Sequence, residues 1–225
     1  MSVLCPDGKQ LNVSGSTHEL AGPWGFKVRL RQQSGTTVVH TAAVGSFEAV
    51  QRHTARLAQY TKREVRFRGQ ALVSYEDPVN SFTTFLWGGR HHELYWTVGG
   101  RDVSFEAFAA TVSTVELADS PDGLLLAPKR GAGGTVALNM AANTLTGLCA
   151  LTVMPIEDST VSTPKHAGKR VDGGIMWRTD QAREDGSIRR TAVIAGGSAV
   201  ANLGFFEPDS PANMRLAESI QVSLS

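Results

Sequence analysis

Between Ser81 and Gly100 the apolar positions fall every second residue. Phe82, Thr84 and Leu86 share one face of an extended chain, and Thr83, Phe85 and Trp87 the other. In Glu93–Val98, Leu94, Trp96 and Val98 share a face. Period-two placement of aromatic and β-branched residues is the mark of a strand. Gly88-Gly89 stands between the runs, and glycine takes a positive φ there without steric cost. The pattern predicts a β-hairpin, apolar in places on both faces and so inside its sheet. In Asp102–Ser113 the spacing changes. Ser104 is a helix cap, and Phe105, Phe108, Ala109 and Val112 form a stripe at i, i+3, i+4 and i+7. Thr114–Leu117 reads as a short closing strand.

The rest of the chain follows the same two rhythms. Residues 1–22 are turn-rich, with room for one edge strand. Trp24–Arg31 alternates Phe26, Val28 and Leu30 against Lys27, Arg29 and Arg31, a half-buried strand with a basic face. Thr36–Val44 is a strand, and Ser46–Tyr60 a helix capped by Ser46 with Phe47, Val50, Thr54, Leu57 and Ala58 buried. Glu64–Tyr75 is strand-like around Gly69, and Pro78 breaks it. Leu124–Ala127, Thr135–Met140 and Thr144–Met154 are strand-like. Glu157–Gly173 is polar and reads as a loop. Gly174–Thr179, Ile188–Ala195 and Ala199–Phe206 are strands, and Ser210-Pro211 opens a last helix.

A shift of 108 residues carries Gly88-Gly89 onto Gly196-Gly197, Phe85-Leu86-Trp87 onto Val193-Ile194-Ala195, and Phe108 onto Leu216. The order of strand, Gly-Gly turn, strand, helix and short strand recurs with it. The expected class is therefore α+β: two tandem units, residues 1–119 and 120–225, each an antiparallel sheet covered by one or two helices. The second unit is shortened, its middle helix replaced by a loop. Ala118–Gly123 is the expected boundary, a short turn-forming linker.

Composition narrows the function. The formal net charge is +1, which argues against a general nucleic-acid or membrane-surface binder. No run of about 18 apolar residues is present, and the first residues lack a charged and an apolar signal region. The expected place is the cytoplasm, or a secreted or viral particle. Cys5 and Cys149 are the two cysteines, too few for a disulfide scaffold; Cys149, in the run Leu148–Met154, reads as a buried small hydrophobe. His91-His92-Glu93 is the most tempting cluster. Neighbours on a strand point to opposite faces, and no third ligand has metal spacing, so a polar strand start is the simpler reading. Gly131-Ala132-Gly133-Gly134 lacks the Gly-Lys-Ser/Thr ending of a phosphate loop. Glu76-Asp77, Glu157-Asp158 and Glu184-Asp185 read as solvated turn residues. No catalytic residue, cofactor or metal is assigned. Lys62, Arg63, Arg66 and Arg68, with Lys165, Lys169 and Arg170 in the second unit, line a basic sheet edge. Such charge either guards an edge or docks an acidic partner.

The order Phe26–Leu30, Phe47–Leu57, Gly69–Tyr75, Phe82–Val98, Phe105–Val112 and Thr114–Leu117 resembles the Mog1/PsbP-like fold, with its DUF1795 and LpqN-type members. The resemblance implies a sheet used for binding rather than catalysis. It also implies chaperones or adaptors of contractile secretion machines that clasp a partner's hydrophobic segment between two copies of the fold. The leading expectation is thus a non-enzymatic protein-binding adaptor or chaperone whose partner is an effector or particle component. The residues expected to meet that partner are Arg66, Arg68, Trp87, His92, Tyr95 and Trp96. A homo-oligomer is a further expected partner state. A structural component of a phage or phage-like particle is one alternative. A small-ligand-binding protein with a pocket near Trp87, His92, Tyr95 and Trp96 is another.

Overall fold

A computed structural model describes residues 1–15, 19–32, 35–53, 60–67, 70–77, 79, 81–99, 105–158, 166–182, 186–207 and 210–225. The first stretch of the chain runs β1 (Ser2–Leu4), β2 (Gln10–Ser14), β3 (Gly25–Gln32), β4 (Gly35–Ala43), α1 (Ser46–His53), β5 (Thr61–Phe67), β6 (Gln70–Asp77), β7 (Phe82–Gly88), β8 (His92–Gly99), α2 (Phe105–Ser113) and β9 (Val115–Ser120). Then come β10 (Gly123–Pro128), β11 (Thr135–Leu145), β12 (Cys149–Pro155), one 3-10 turn at Ile156–Asp158, and β13 (Lys169–Val171). The last elements are β14 (Gly174–Ala182), β15 (Ile188–Ala195), β16 (Ala199–Phe205), α3 (Pro211–Ser219) and β17 (Gln221–Leu224).

The α+β expectation is overturned. Strands take 61% of the described residues and helices 14%, and one hydrogen-bonded order, β13-β14-β15-β16-β12-β11-β3-β4-β8-β7-β6-β5, contains twelve strands. Helix α2 buries Phe108, Ala109 and Val112 as expected, whereas on α1 Phe47 is buried but Val50 is 59% exposed; both helices are about two turns long and cover little sheet. Meanwhile, stretches that read as turn, linker or loop alternate well enough to find strand partners. Gln10–Ser14 pairs with both β1 and β17. The expected linker is the turn of a β9–β10 hairpin, closed by Ser120↔Gly123. Lys169–Val171 pairs with β14. Glu64–Tyr75, read as one strand, belongs to a β5–β6 hairpin, paired from Thr61↔Glu76 to Phe67↔Gln70. Ser104, the outer half of the expected first helix (Thr54, Leu57, Ala58), Lys165 and Glu184-Asp185 lie outside the described residues.

Contacts divide the chain into two compact units. One holds residues 1–5, 9–24 and 138–225, the other residues 6–8 and 25–137. Within the first unit the order is β13-β14-β15-β16-β12-β11; within the second it is β5-β6-β7-β8-β4-β3. The two successions are the same, eight strands apart. The correspondence is not quite the shift of 108, however. Gly89 donates to the His92 carbonyl at 2.8 Å, and Gly196 to the Ala199 carbonyl at 3.0 Å, which matches the two hairpin loops at a shift of 107. One residue of slip exchanges the faces of every strand. Trp87 therefore corresponds to Ile194, Leu94 to Ala201 and Trp96 to Leu203, while Glu93 corresponds to Val200 and Tyr95 to Asn202.

In the 25–137 unit, pairing places Phe85, Trp87, Leu94, Trp96, Leu72 and Val39 on one face. Helix α2 lies there, its Phe108 fully buried and stacked on Phe85 with centroids 5.4 Å apart. In the other unit Ile194, Ala201, Leu203, Leu151 and Val153 share a buried face by the same logic. Cys149 is buried with them, as expected, and burial pushes its thiol up to about 12. That leaves it inert as a nucleophile.

Candidate functional site

The side of the 25–137 unit turned away from α2 carries a group of interacting ionisable side chains. Register puts Lys27, His40, Tyr95, Leu86 and Val73 in one cross-strand row, with Tyr75 opposite Thr84 beside it and Glu93 opposite Ala42. Helix α1 is held over this face by Phe47, whose ring lies 5.1 Å from Tyr75 and 5.4 Å from Tyr95. The helix start is fixed by Glu93, a β8 carboxylate only 2% exposed. Gly45 N–H donates to its Oε2 at 2.8 Å and Phe47 N–H to its Oε1 at 2.5 Å. The first amides of a helix need acceptors, and here a neighbouring strand supplies one. Burial pushes the Glu93 carboxyl above its usual range, against the opposing pull of the Phe47 and Gly45 amides.

The neighbouring groups are equally engaged. Tyr75 donates its hydroxyl to Glu48 of α1, and Lys62 sits 3.6 Å from Glu48 and 5.8 Å above the Tyr75 ring centroid. Burial first, and Glu48 next, keep the Tyr75 phenol protonated. His40 stacks on Tyr95 at 4.9 Å. Burial, helped by Lys27, lowers its pKa to about 4, so the ring is neutral at pH 7.

The residues expected to meet a partner do not form one surface. Trp87 is 3% exposed and lies in the core with Phe85 and Phe108. Trp96 packs on the same core, stacked 6.2 Å from Phe108. Tyr95 is on the opposite face under α1. Arg66 is exposed on β5, and Arg68 lies outside the described residues. His92 is turned to its own partner: its Nδ1 is 2.9 Å from Asp119 Oδ1. Among the described residues no three or more of His, Cys, Asp and Glu gather as a metal site. The basic residues divide too. Lys62, Arg63 and Arg66 lie on β5, which pairs only with β6 among the described strands, and Lys169 and Arg170 on β13, which pairs only with β14. Asp77, read as a solvated turn residue, is buried and accepts the Val79 amide at 2.9 Å.

Asp119 clamps the loop of the β7–β8 hairpin. It accepts the His91 amide at 2.9 Å as well as the His92 ring. A Cβ on Gly89 would run into the Asp119 carboxylate and come 2.7 Å from the Trp87 ring, so the glycine is needed for close approach. Burial works against the Asp119 charge, but the His91 amide and His92 more than offset it and hold the carboxyl below its usual range. Asp119→Ala is expected to lose about 1–2 kcal/mol. Because the folded pKa is depressed, that contribution is complete above the ordinary carboxylate value and fades as pH falls through the folded one. Urea unfolding of both proteins at neutral pH and in acid checks this; a difference constant with pH would refute it.

Beyond α1 the same face opens. Val38 is 37% exposed and Phe82 46%, with Thr36, Thr97 and Arg31 exposed around them. In the 1–24 and 138–225 unit, a cavity of about 540 Å³ lies between Val13, Leu20 and Leu145, with Ser14 and Glu19 as its polar wall. It is built from other residues than the aromatic set expected to line a ligand pocket. No described helix is long and apolar enough to cross a membrane.

No family model matches the chain, and no curated protein does. Among solved structures it is similar to MucB, in a crystal structure of MucB in complex with MucA(peri), at 9% identity and a TM-score of 0.19, covering 90% of this chain and 94% of that one. A likeness so slight carries no argument about fold or function.

Proposed function

We propose that this chain is a non-enzymatic protein-binding module, an adaptor or chaperone. The observation that carries the reading is the half-covered sheet face of the 25–137 unit. Helix α1 seals one end of it, while Val38 and Phe82 stay exposed at the other. Exposed large apolar side chains on one sheet face, here Val38 on β4 and Phe82 on β7, offer anchor points for a partner. The polar groups nearby support a binding role. Glu93 is bound to the helix start, Glu48 to Tyr75 and Lys62, and Asp119 to the hairpin loop. The Mog1/PsbP-like resemblance suggests an effector or a component of a secretion or contractile machine as the partner.

A photo-reactive amino acid placed at Phe82 in the full chain, in the cells that make it, tests the reading. A discrete adduct with a different polypeptide is expected. Adducts with a second copy of this chain would favour a particle component instead, and the absence of any protein adduct would count against both.

A further inference from the structure

Going beyond the partner-binding reading, we infer that two copies of this chain join at β5, their edge strands pairing antiparallel about a two-fold axis through Val65. Strand β5 closes one end of the strand order and pairs only with β6 among the described strands. Residues 61–66 are exposed at every position, on both faces of the strand. The outer rim of such a strand turns backbone amides and carbonyls outward, a template for a further strand. Strand β13, at the other end of the order, is only three residues long and offers too short a rim.

Charge selects a second copy as the occupant. Charged side chains on an edge ordinarily keep copies apart, but those nearest Val65 complement themselves. In a two-fold antiparallel pair, a residue before the axis meets the residue equally far after it in the other copy, on the same face. Glu64 therefore meets Arg66 of the second copy, and Arg66 meets its Glu64. Both opposite-charge pairs lie on the face that register shares with Val73 and Ala71. Val65, 42% exposed on the other face beside Leu72, meets its own counterpart. An axis through any charged residue of β5 would set that charge against itself, and one through Thr61 or Phe67 would leave half the strand unpaired. Contacts within the chain leave these groups able to pair. Lys62 is shared between Glu48, at 3.6 Å, and Oε1 of Glu64, at 3.4 Å, and the second Glu64 oxygen can accept another donor. Arg66 forms no ion pair with a described residue. Lys62, drawn inward by Glu48, falls opposite Arg68, which lies outside the described residues. A uniformly acidic strand from another protein would suit Arg66 but oppose Glu64.

Sedimentation velocity on the full chain, from about 1 μM to about 1 mM, is expected to show a reversible monomer–dimer equilibrium, since so short an edge makes a small interface. Arg66→Glu and Glu64→Arg should each weaken the dimer by about tenfold or more, because both cross-strand pairs become like-charged. Mixed in equal amounts, the two single variants should pair with each other at close to native strength. The double swap Glu64→Arg/Arg66→Glu should restore self-association. All variants should keep the native circular dichroism spectrum, the changed side chains being exposed. A monomer at every concentration would leave the edge to a strand of a different protein and overturn the inference. So would a dimer indifferent to the single variants, or single variants that fail to complement each other. Phe82 stands on β7, two strands or roughly 10 Å inside this rim, so its photo-adducts report on the sheet face and leave the β5 result independent.

Discussion

Glu93→Ala is expected to lower the unfolding free energy by about 3 kcal/mol, since leaving a buried donor without its acceptor costs roughly 1–3 kcal/mol and two amides lose theirs. The substitution strips acceptors from the Gly45 and Phe47 amides at the start of α1. Phe47 anchors the helix against Tyr75 and Tyr95, so loosening the first turn loosens the aromatic cluster with it. The effect has a pH signature opposite to that of Asp119. Burial raises the Glu93 carboxyl in the folded chain, so the native state binds this proton more tightly than the unfolded one. The stability it adds is complete below the ordinary carboxylate value and is lost as pH rises toward the folded pKa. The gap between the native chain and Glu93→Ala should therefore be wider in mild acid than at neutral pH. Urea titrations at the two pH values measure it. A loss under about 1 kcal/mol, or a gap that widens with pH, would show that the carboxylate is not what holds α1.

Gly174→Ala should be as damaging, through the backbone instead. Gly174 has φ +132°, and a Cβ there would overlap the Ala195 carbonyl oxygen, lying 2.9 Å from the carbonyl carbon and 3.1 Å from the Gly196 Cα. Every one of those atoms is main chain in the β14–β15 pair, so no side chain can swing aside. About 3 kcal/mol or more is expected, seen as a fall of roughly 10 °C in melting temperature. Gly186→Ala is the matching control. Gly186 also has positive φ, at +79°, but nothing lies within 4 Å of its added Cβ, leaving a penalty of about 1 kcal/mol from the left-handed backbone alone. Similar losses at the two positions would mean that the close approach at Gly174 is easily relieved.

The β7–β8 hairpin and the α2 stripe were legible because each depends on neighbours in sequence. Phe82–Gly88 alternates up to its glycines, and Phe108, Ala109 and Val112 fall on the helix face that is buried. The repeat was legible in order but one residue out in register. Gly-Gly occurs in both hairpins, yet Gly88 still pairs with Glu93 while Gly196 already opens its loop. The α+β class failed because a helix stripe two turns long looks the same whether it covers a sheet or a corner of one. Glu93 stands out in sequence with His91 and His92, but as a polar strand start, so its role at the start of α1 was missed. Its partners are backbone amides more than forty residues away, and amides leave no trace in sequence. The usable signal was its place in a strand expected to be central, just before Leu94, Tyr95 and Trp96. Trp87 and Trp96 illustrate the converse: an aromatic in a strand with two apolar faces fits a core and a contact surface equally well.

The division of the chain carries a consequence for its birth on the ribosome. Strand β2 pairs with β17, from Ser14↔Gln221 to Leu11↔Leu224, and residues 25–137 are made between those partners. The inserted unit can finish folding while the polypeptide is still being translated. Strands β1 and β2 can pair with each other early, but the β2–β17 edge cannot form until residues 221–224 have been made. Closing so long a span slows folding more than it weakens the folded product, so removing β17 should leave one edge of β2 open, with β1 as its remaining strand partner, and more exposed to proteases.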